Sequence, residues 1–457
     1  MSFQKGKSSK HSSQASIASI PTTDVISPPQ EAPKVEEATV EEATVEETII
    51  PPETQKVLLL HAARQPYQLT EDYPVPQVEG DHEVLVRAQA IGLNPIDWKA
   101  PDFNFAIPSL PYISGRELAG TVTQPPKSPS SRLQPNDRVL VISTDYRDLR
   151  KAAYQEYVVA FDYNTVRLPA HLTFEQGSTL GVAFVAAVLS LGVCMGVDFT
   201  SILDGPDLYT LLRDTALIPP DSLAADIRDE CLSGIAQHER ALPGDWLAVW
   251  GGSSTSANLT IQLAKLAGLR TISVVDKAKH GVRLTGHHAI RTDLLVDSHD
   301  AQRAVDVIRG NLKGKLRFGI DTRGRESAGA LLQALRPGNL ESSSGSGGGN
   351  KEGSPPPSPP STPHDSTRLS AHLIGLTGLP KGAPPEGTLF HTVPIKLFHE
   401  VPAVGEALCA WLERLLEKGL VVPPEIIDVE QGLESVNGAL DRMRKGEISG
   451  GKLVVRV

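Results

Sequence analysis

Asp245–His280 reads DWLAVWGGSSTSANLTIQLAKLAGLRTISVVDKAKH. Trp246 to Trp250 form a short apolar run, with Gly-Asp before it and Gly-Gly after, the pattern of a buried strand. Gly251 and Gly252 make a turn. Ser253, Ser254, Thr255 and Ser256 supply hydroxyls where a helix begins, as N-cap chemistry prefers. Leu259, Leu263, Leu266 and Ala267 repeat at helical spacing, and Gly268 stands at a helix stop. Thr271–Val275 is a second strand with Asp276 at its end. Strand, glycine turn, helix, strand and acid make a βαβ unit of dinucleotide-binding type. A diphosphate needs backbone N–H donors at close range and the positive end of a helix dipole, and residues without side chains permit that approach. The turn is G-G-S-S-T-S-A, not G-x-G-x-x-G, and Ala257 stands where a last glycine would let helix and strand pack closely. A parallel α/β domain with a serine-rich turn and no ligand has the same local pattern.

Around this unit the chain has 457 residues, room for two or three domains. A formal net charge of −10 argues against a nucleic-acid partner. Cys194, Cys231 and Cys409 share no metal spacing and make no disulfide framework, which points to a reducing compartment, the cytoplasm or alternatively the mitochondrial matrix. The thirteen histidines, His287 and His288 among them, show no H-x-x-x-H spacing and read as mostly surface residues. No apolar run is expected to reach the roughly 20 residues of a membrane span, so no membrane partner is implied. Residues 1–53 are low in complexity. Lys5, Lys7 and Lys10 among serines faintly resemble a mitochondrial presequence, without its arginines. Val35–Thr48 then repeats VEEAT, VEEAT, VEET, and high charge with few large apolar residues predicts a disordered tail. Residues 339–364, rich in Ser, Gly and Pro, predict a disordered insertion, tolerable because loop-closure cost grows only logarithmically with length.

Order is expected from near Lys56. Val57–His61, Glu83–Ala90, the end of Pro135–Ile142, Glu156–Val159 and Thr165–Leu168 read as short strands with Gly and Pro punctuation, the pattern of a small barrel-like β domain. Phe174–Cys194 reads as an apolar bridging helix in which Gly181, Ala183, Ala186 and Ala187 permit close packing. Met195–Pro243 has helical periodicity and is expected over the domain junction or a substrate entrance. Past the βαβ unit, Asp293–Val296 and Leu316–Asp321 predict strands, Glu326–Leu335 a helix, Arg368–Thr377 and His391–His399 strands, and Val404–Lys418 an amphipathic helix. The last stretch, from Glu425, predicts strand, helix, Gly-rich turn and strand, with Lys452 and Arg456 solvated.

The order GLNPIDWK (Gly92–Lys99), SGRELAGTV (Ser114–Val122), NDRVLV (Asn136–Val141), AYQEYVV (Ala153–Val159) and then the βαβ unit resembles the medium-chain dehydrogenase/reductase superfamily, from about residue 55 to the end. The similarity is to the zinc-independent branch of quinone and enoyl reductases, and GGSSTSA is similar to the cofactor turn of fungal trans-acting enoyl reductases. The resemblance implies an α/β fold: a GroES-like β-barrel domain plus a doubly wound Rossmann domain. It implies a catalytic domain over 54–175, a nucleotide-binding domain over 176–395, and a return segment over 396–457 that completes the catalytic domain.

The resemblance also frames the chemistry. Zinc alcohol dehydrogenases carry Cys in the first motif and Gly-His-Glu in the second. Here these read Gly92-Leu93-Asn94-Pro95 and Gly115-Arg116-Glu117, and a guanidinium cannot ligate a metal at accessible pH. No zinc is expected. Hydride then passes from nicotinamide to an electron-poor carbon while charge builds on oxygen. The candidate catalytic residues are Asn94, Asp97 and Lys99, on the loop that carries the family's active site. Pinning that loop is the structural alternative for Asn94 and Asp97, and solvent exposure for Lys99. The candidate cofactor residues are Gly251, Gly252, Ser253, Ser254, Thr255, Ser256, Ala257, Asp276, Lys277 and Lys279. Asp276 favours a ribose diol and the lysines a 2′-phosphate, and the resemblance tips the expectation to NADPH, with NADH as the alternative. DTRG, from Asp321, occupies the family's nicotinamide side. Phe103 and Phe105 stand where mitochondrial-type enoyl reductases place a catalytic tyrosine, which leaves Tyr112 or solvent as proton source. The expected function is reduction of an activated C=C bond in an enone, quinone or enoyl thioester. The alternative is a catalytically weak NADPH-binding regulatory or scaffold protein. The implied partners are a small-molecule or acyl-thioester substrate, and a second copy of the chain or a polyketide synthase.

Overall fold

The computed structural model describes residues 50–336, 338–339 and 368–457. The expected tail over 1–53, save its last four residues, and the expected insertion over 339–364, save its first, lie outside the described residues.

The GroES-like part is built on antiparallel strands. Glu83–Gly92 pairs with Glu117–Gln124 and with Tyr157–Phe161, and Glu117–Gln124 pairs with Arg138–Ile142, which carries Thr165–Arg167. Thr54–Leu60 holds Gln68–Pro74 on one side and Tyr112–Ile113 on the other. The final strand, Lys452–Arg456, lies between Glu83–Gly92 and Ile426–Gln431, so the end of the chain closes this sheet. The apolar alternation of these strands supplies a core of Val57, Leu60, Val84, Val86, Leu118, Val122 and Val455.

The second sheet is parallel throughout, in the spatial order Leu294–Asp297, Arg270–Val275, Trp246–Trp250, Phe318–Asp321, Ala371–Gly375, Thr388–Thr392. Numbered along the chain, that order is 3-2-1-4-5-6, the doubly wound arrangement. Its central strands are apolar on both faces because helices cover both. Leu247, Val249 and Ile320 pack with one layer, and Ala248, Ile272 and Leu373 with the other. The order reverses between Trp246–Trp250 and Phe318–Asp321, and the crevice beyond their carboxyl ends is where such sheets bind ligands.

Phe174–Cys194 joins the two parts. It is long and apolar enough to cross a membrane, with a mean hydropathy of 2.0, contrary to the expectation that no such run exists. It is 94% buried inside the fold, where it packs as helix Gly181–Leu189 and a π-helical turn, Ser190–Cys194, against Thr255–Leu266. Much of 195–243 packs into the interior. Phe199, Ile202, Leu208, Ile227 and Cys231 enter the same core as the bridge and helix Pro402–Glu417, and Trp411 Nε1 donates to the Ile202 carbonyl at 2.9 Å.

Two expected elements change. The His391–His399 strand is a strand over Thr388–Thr392 followed by a short helix, Lys396–Glu400, because Pro394 cannot donate to a sheet ladder. The GLNPIDWK loop is helical over Pro95–Phe103, with Pro95 at its first position, where a missing N–H costs nothing.

Candidate active site

The crevice at the strand reversal is shaped by the glycines. Gly251 has φ +81°, and a Cβ on Gly252 would stand 2.7 Å from the Ser273 side chain, so only glycine lets the turn lie this close to the neighbouring strand. Their amides do not face outward: Gly251 N and Gly252 N both donate to the Val274 carbonyl, at 3.0 and 3.2 Å. Ser254 caps helix Thr255–Leu266, its hydroxyl accepting from Ala257 N at 3.1 Å and donating to Thr322 Oγ1 at 3.1 Å. Among the described residues, the amides of Ser253, Thr255 and Ser256 donate to no protein acceptor, which leaves three N–H groups at the positive end of a twelve-residue helix. Ala257 is fully buried beneath them. DTRG packs against this turn: Thr322 Oγ1 also lies 3.1 Å from the Gly251 carbonyl, and the Asp321 carboxylate accepts from Arg323 N and Gly324 N. Burial raises the Asp321 pKa, and one of its oxygens has no partner.

Asp276 is occupied as the cap of helix Lys277–Gly286, accepting from Lys279 N at 3.0 Å, and lies 3.6 Å from His299. Lys277 and Lys279 are exposed. A cation beside the turn is one the sequence reading missed: Arg283, 3.4 Å from the Ser253 carbonyl and 3.9 Å from Glu425. Beside it His280 bonds Ser449 Oγ at 2.9 Å, and a Cβ on Gly450 would meet both side chains at 3.0 Å. The signal was available, since 280 and 283–284 share the inward face of an amphipathic helix.

On the β-domain side, Asn94, Glu117 and Lys452 form a buried knot. Asn94 Nδ2 donates to Glu117 at 2.8 Å, Lys452 Nζ donates to Asn94 Oδ1 at 3.1 Å, and Lys452 forms an ion pair with Glu117. The second Glu117 oxygen accepts from Val182 N at 2.8 Å, at the start of the bridge helix. Lys452 is 3% exposed, which corrects the expectation of a solvated lysine. Arg456 is exposed and pairs with Glu175. Asn94 is thereby fixed within the knot by its side-chain partners.

Asp97 is wholly buried. One carboxylate oxygen accepts from Asn94 N at 2.8 Å, the other has no partner, and burial pushes its pKa up to about 6 against the opposing pull of that bond and of Arg116. Around it stand Tyr67, Tyr112, Arg116 and Tyr154, of which the sequence singles out Tyr112 and Arg116 alone. Tyr67 Oη donates to the Asp97 carbonyl at 2.7 Å, and the buried hydroxyls of Tyr112 and Tyr154 have no hydrogen-bond partner. Gly115, at φ +93°, makes room for the Tyr154 ring 2.6 Å from where a Cβ would be. Arg116 is 8% exposed, lies 5.5 Å from the Tyr146 ring centre, and pairs with no carboxylate among the described residues. A buried guanidinium without a counter-ion is costly, so its place beside Tyr112 marks a position suited to an anionic or carbonyl oxygen. Lys99 is not in this group. It lies two residues past Asp97 on the helix, about 200° around the axis, over the Trp98 ring at 5.6 Å. Arg116 and Tyr154 belong to the motifs SGRELAGTV and AYQEYVV, but Tyr112, Arg116 and Tyr154 come from segments up to 42 residues apart, and no spacing rule shows that they meet.

The alcohol dehydrogenase GroES-like domain family matches residues 80–170. A trans-enoyl reductase of Botryotinia fuckeliana is 26% identical over 410 residues, 85% of this chain and 96% of its own length. One of Aspergillus sclerotiorum is 26% identical over 399 residues, with coverages of 85% and 96%. Among solved structures, a mycobacterial protein complexed with NADPH aligns at a TM-score of 0.60 and 16% identity, and the CurK enoyl reductase at 0.59 and 13%. Both cover 88% of this chain, and 100% and 99% of their own. Residues 80–170 are thus an alcohol dehydrogenase GroES-like domain, and with its 3-2-1-4-5-6 sheet the chain has the medium-chain dehydrogenase/reductase fold and is similar over most of its length to trans-enoyl reductases.

Proposed function

We propose that the protein is an NADPH-dependent reductase of an activated C=C bond, an enone, quinone or enoyl thioester, that works without a metal at the reacting centre. The observation that carries this reading is Arg116, a buried cation with no carboxylate partner among the described residues, in the motif position where zinc enzymes of the superfamily hold a histidine ligand. The names of the fungal relatives favour the enoyl thioester among these substrates, and a solved neighbour holds NADPH.

The Ser253, Thr255 and Ser256 amides would receive the diphosphate, and Arg283 a further phosphate, roles that suit bare N–H donors and a half-buried guanidinium. When bound, the nicotinamide supplies the hydride. Arg116 stabilises the negative charge that grows on the substrate oxygen, and the Tyr112 hydroxyl is the second donor beside it. Asn94, Glu117 and Lys452 hold the first turn of helix Pro95–Phe103 against the bridge helix and so fix Asp97 and Arg116 in place. The proton on carbon returns from solvent. Oxidation of NADPH followed by absorbance with a panel of enones, quinones and enoyl thioesters tests the reading. Turnover with at least one class is expected. Tight NADPH binding with no turnover on any class would leave a cofactor-binding scaffold instead.

A further inference from the structure

The segment 195–243 brings one residue, Glu230, to a place the cofactor chemistry does not use. Glu230 sits on helix Ala225–Ser233. Its carboxylate meets the Cys194 thiol, at the end of the π-helical turn, and the His391 ring, on the edge strand Thr388–Thr392. One donor atom from each of the three lies within 4.8 Å of the others. Cys194 and His391 are buried, and Glu230 is largely so. Cys194 is about 20 Å along the bridge helix from Gly181, so the cluster is well removed from the Glu117 knot.

We propose that Cys194, Glu230 and His391 form a binding site for a borderline-soft divalent cation of the zinc type, which clips the inserted helix to the bridge helix and to the edge of the parallel sheet. Three features support this. Thiolate, imidazole and carboxylate are a zinc donor set. Their charges fit as well. Thiolate and carboxylate carry two negative charges in a buried setting, and among the described residues Glu230 has no arginine or lysine partner, only His391 at 2.8 Å. A divalent cation makes the group neutral. The third feature is the surroundings of the donors. The far nitrogen of His391 lies 2.9 Å from Nδ1 of buried His372, the outer-shell bond that orients a metal-binding imidazole. Glu230 also lines a cavity of about 420 Å³ with Asp226, Phe390, Thr392 and Lys396, which gives the cation a way in and room for a water as the fourth ligand. Uptake forms a metal–sulfur bond and releases the Cys194 proton to solvent.

The experiment uses the full chain, stripped of metal with a chelator and titrated with Co²⁺, then competed with Zn²⁺. A thiolate-to-cobalt charge-transfer band that saturates at about one equivalent is expected, with a higher thermal midpoint in the loaded protein. Cys194→Ser removes the band, Cys409→Ala keeps it, and His372→Gln weakens binding by about 10–100-fold through the orientation of His391. Glu230→Gln, on the inserted helix at the cavity wall, is the second ligand variant should Cys194→Ser fail to fold, and it lowers Co²⁺ affinity at least about tenfold. No band at saturating Co²⁺, or a full band in Cys194→Ser, overturns the site and leaves a Cys–Glu–His hydrogen-bonded cluster. Neither result bears on NADPH turnover, so this inference and the proposed function fail separately.

Discussion

Arg116 and Asp97 have opposite costs. Arg116 is a charge held in a nearly dry place with, among the described residues, no carboxylate at pairing distance, so its retention lowers stability, and under the proposed function what it gives in return is a donor for a substrate oxygen. Arg116→Met is therefore expected to cut kcat by about 10²–10³-fold, as loss of one oxyanion donor does, while the urea midpoint stays the same or rises and NADPH affinity is unchanged. A parallel loss of NADPH affinity in a binding titration would move Arg116 from the reacting oxygen to the cofactor. Asp97 gives a pH-dependent prediction. Its pKa rises from 3.8 unfolded to about 6 folded, so between these values the folded protein holds more protons than the unfolded chain. Its contribution to stability is thus greatest below about pH 4 and is lost as pH rises through 6, a difference of about 3 kcal/mol from two pKa units. Asp97→Asn removes that term. Relative to the wild type, the variant should gain stability from pH 4 to pH 7 in urea unfolding, and a constant difference across that range would refute the buried, protonating carboxyl.

At the scale of elements, the knot of Asn94, Glu117 and Lys452 binds the first helix, a central strand, the last strand and the bridge helix at one point. Lys452→Met leaves Glu117 charged and buried, and should cost about 3–5 kcal/mol. Adding Glu117→Gln should recover part of that, which a double-mutant cycle by chemical denaturation reads directly. This knot also shows where the sequence stops being informative. The βαβ unit was legible because a strand, its turn and its helix are written in consecutive residues, and their periodicities do not depend on partners. There the structure adds what periodicity does not carry: the Gly251 and Gly252 amides donate to the Val274 carbonyl, and the open N–H groups belong to Ser253, Thr255 and Ser256. Lys452 looked solvated because a lysine near a terminus usually is, and only its pairing with residues 335 and 358 positions away buries it. Of the tyrosines around Asp97 the sequence picks out Tyr112, and misses Tyr67 and Tyr154 for the same reason. Tyr67 and Tyr154 stack edge-on at 5.5 Å, although 87 residues separate them, and no spacing rule relates such positions. The histidines repeat the lesson: His280, His372, His391 and His399 are buried, whereas His287 and His288 are exposed as expected.

At the scale of the molecule, the β domain draws its strands from both sides of the nucleotide-binding fold: Lys452–Arg456 joins the sheet of Glu83–Gly92, and the six parallel strands lie between them in sequence. Lys452–Arg456 is flanked by strands on both sides, with Leu453, Val454 and Val455 fully buried, and Lys452 completes the knot under the active site. The β domain therefore cannot close until the last six residues have been made. The parallel sheet has no such dependence, since all six of its strands lie between Trp246 and Thr392. A chain ending at Gly451 is expected to keep a folded nucleotide-binding part and to lose the cooperative unfolding of the rest, with at least ten times less soluble protein. Glu83–Gly92 would lose one neighbour and Ile426–Gln431 its only strand partner among the described residues, which exposes apolar strand edges. Limited proteolysis separates the alternatives: cleavage should concentrate in the β domain, before residue 170 and after 420, with the region around 246–336 protected. A truncated chain that stays soluble, resists protease along its whole length and still turns over NADPH would show that the final strand is an accessory edge. Trans-addition offers the complementary test. A peptide of residues 450–457 would restore protection of the β domain if the strand's own hydrogen bonds, buried valines and Lys452 are what closes it. Restoration by the native peptide, and none by one carrying Met for Lys452, would assign that closure to the ion pair with Glu117 as well as to the sheet.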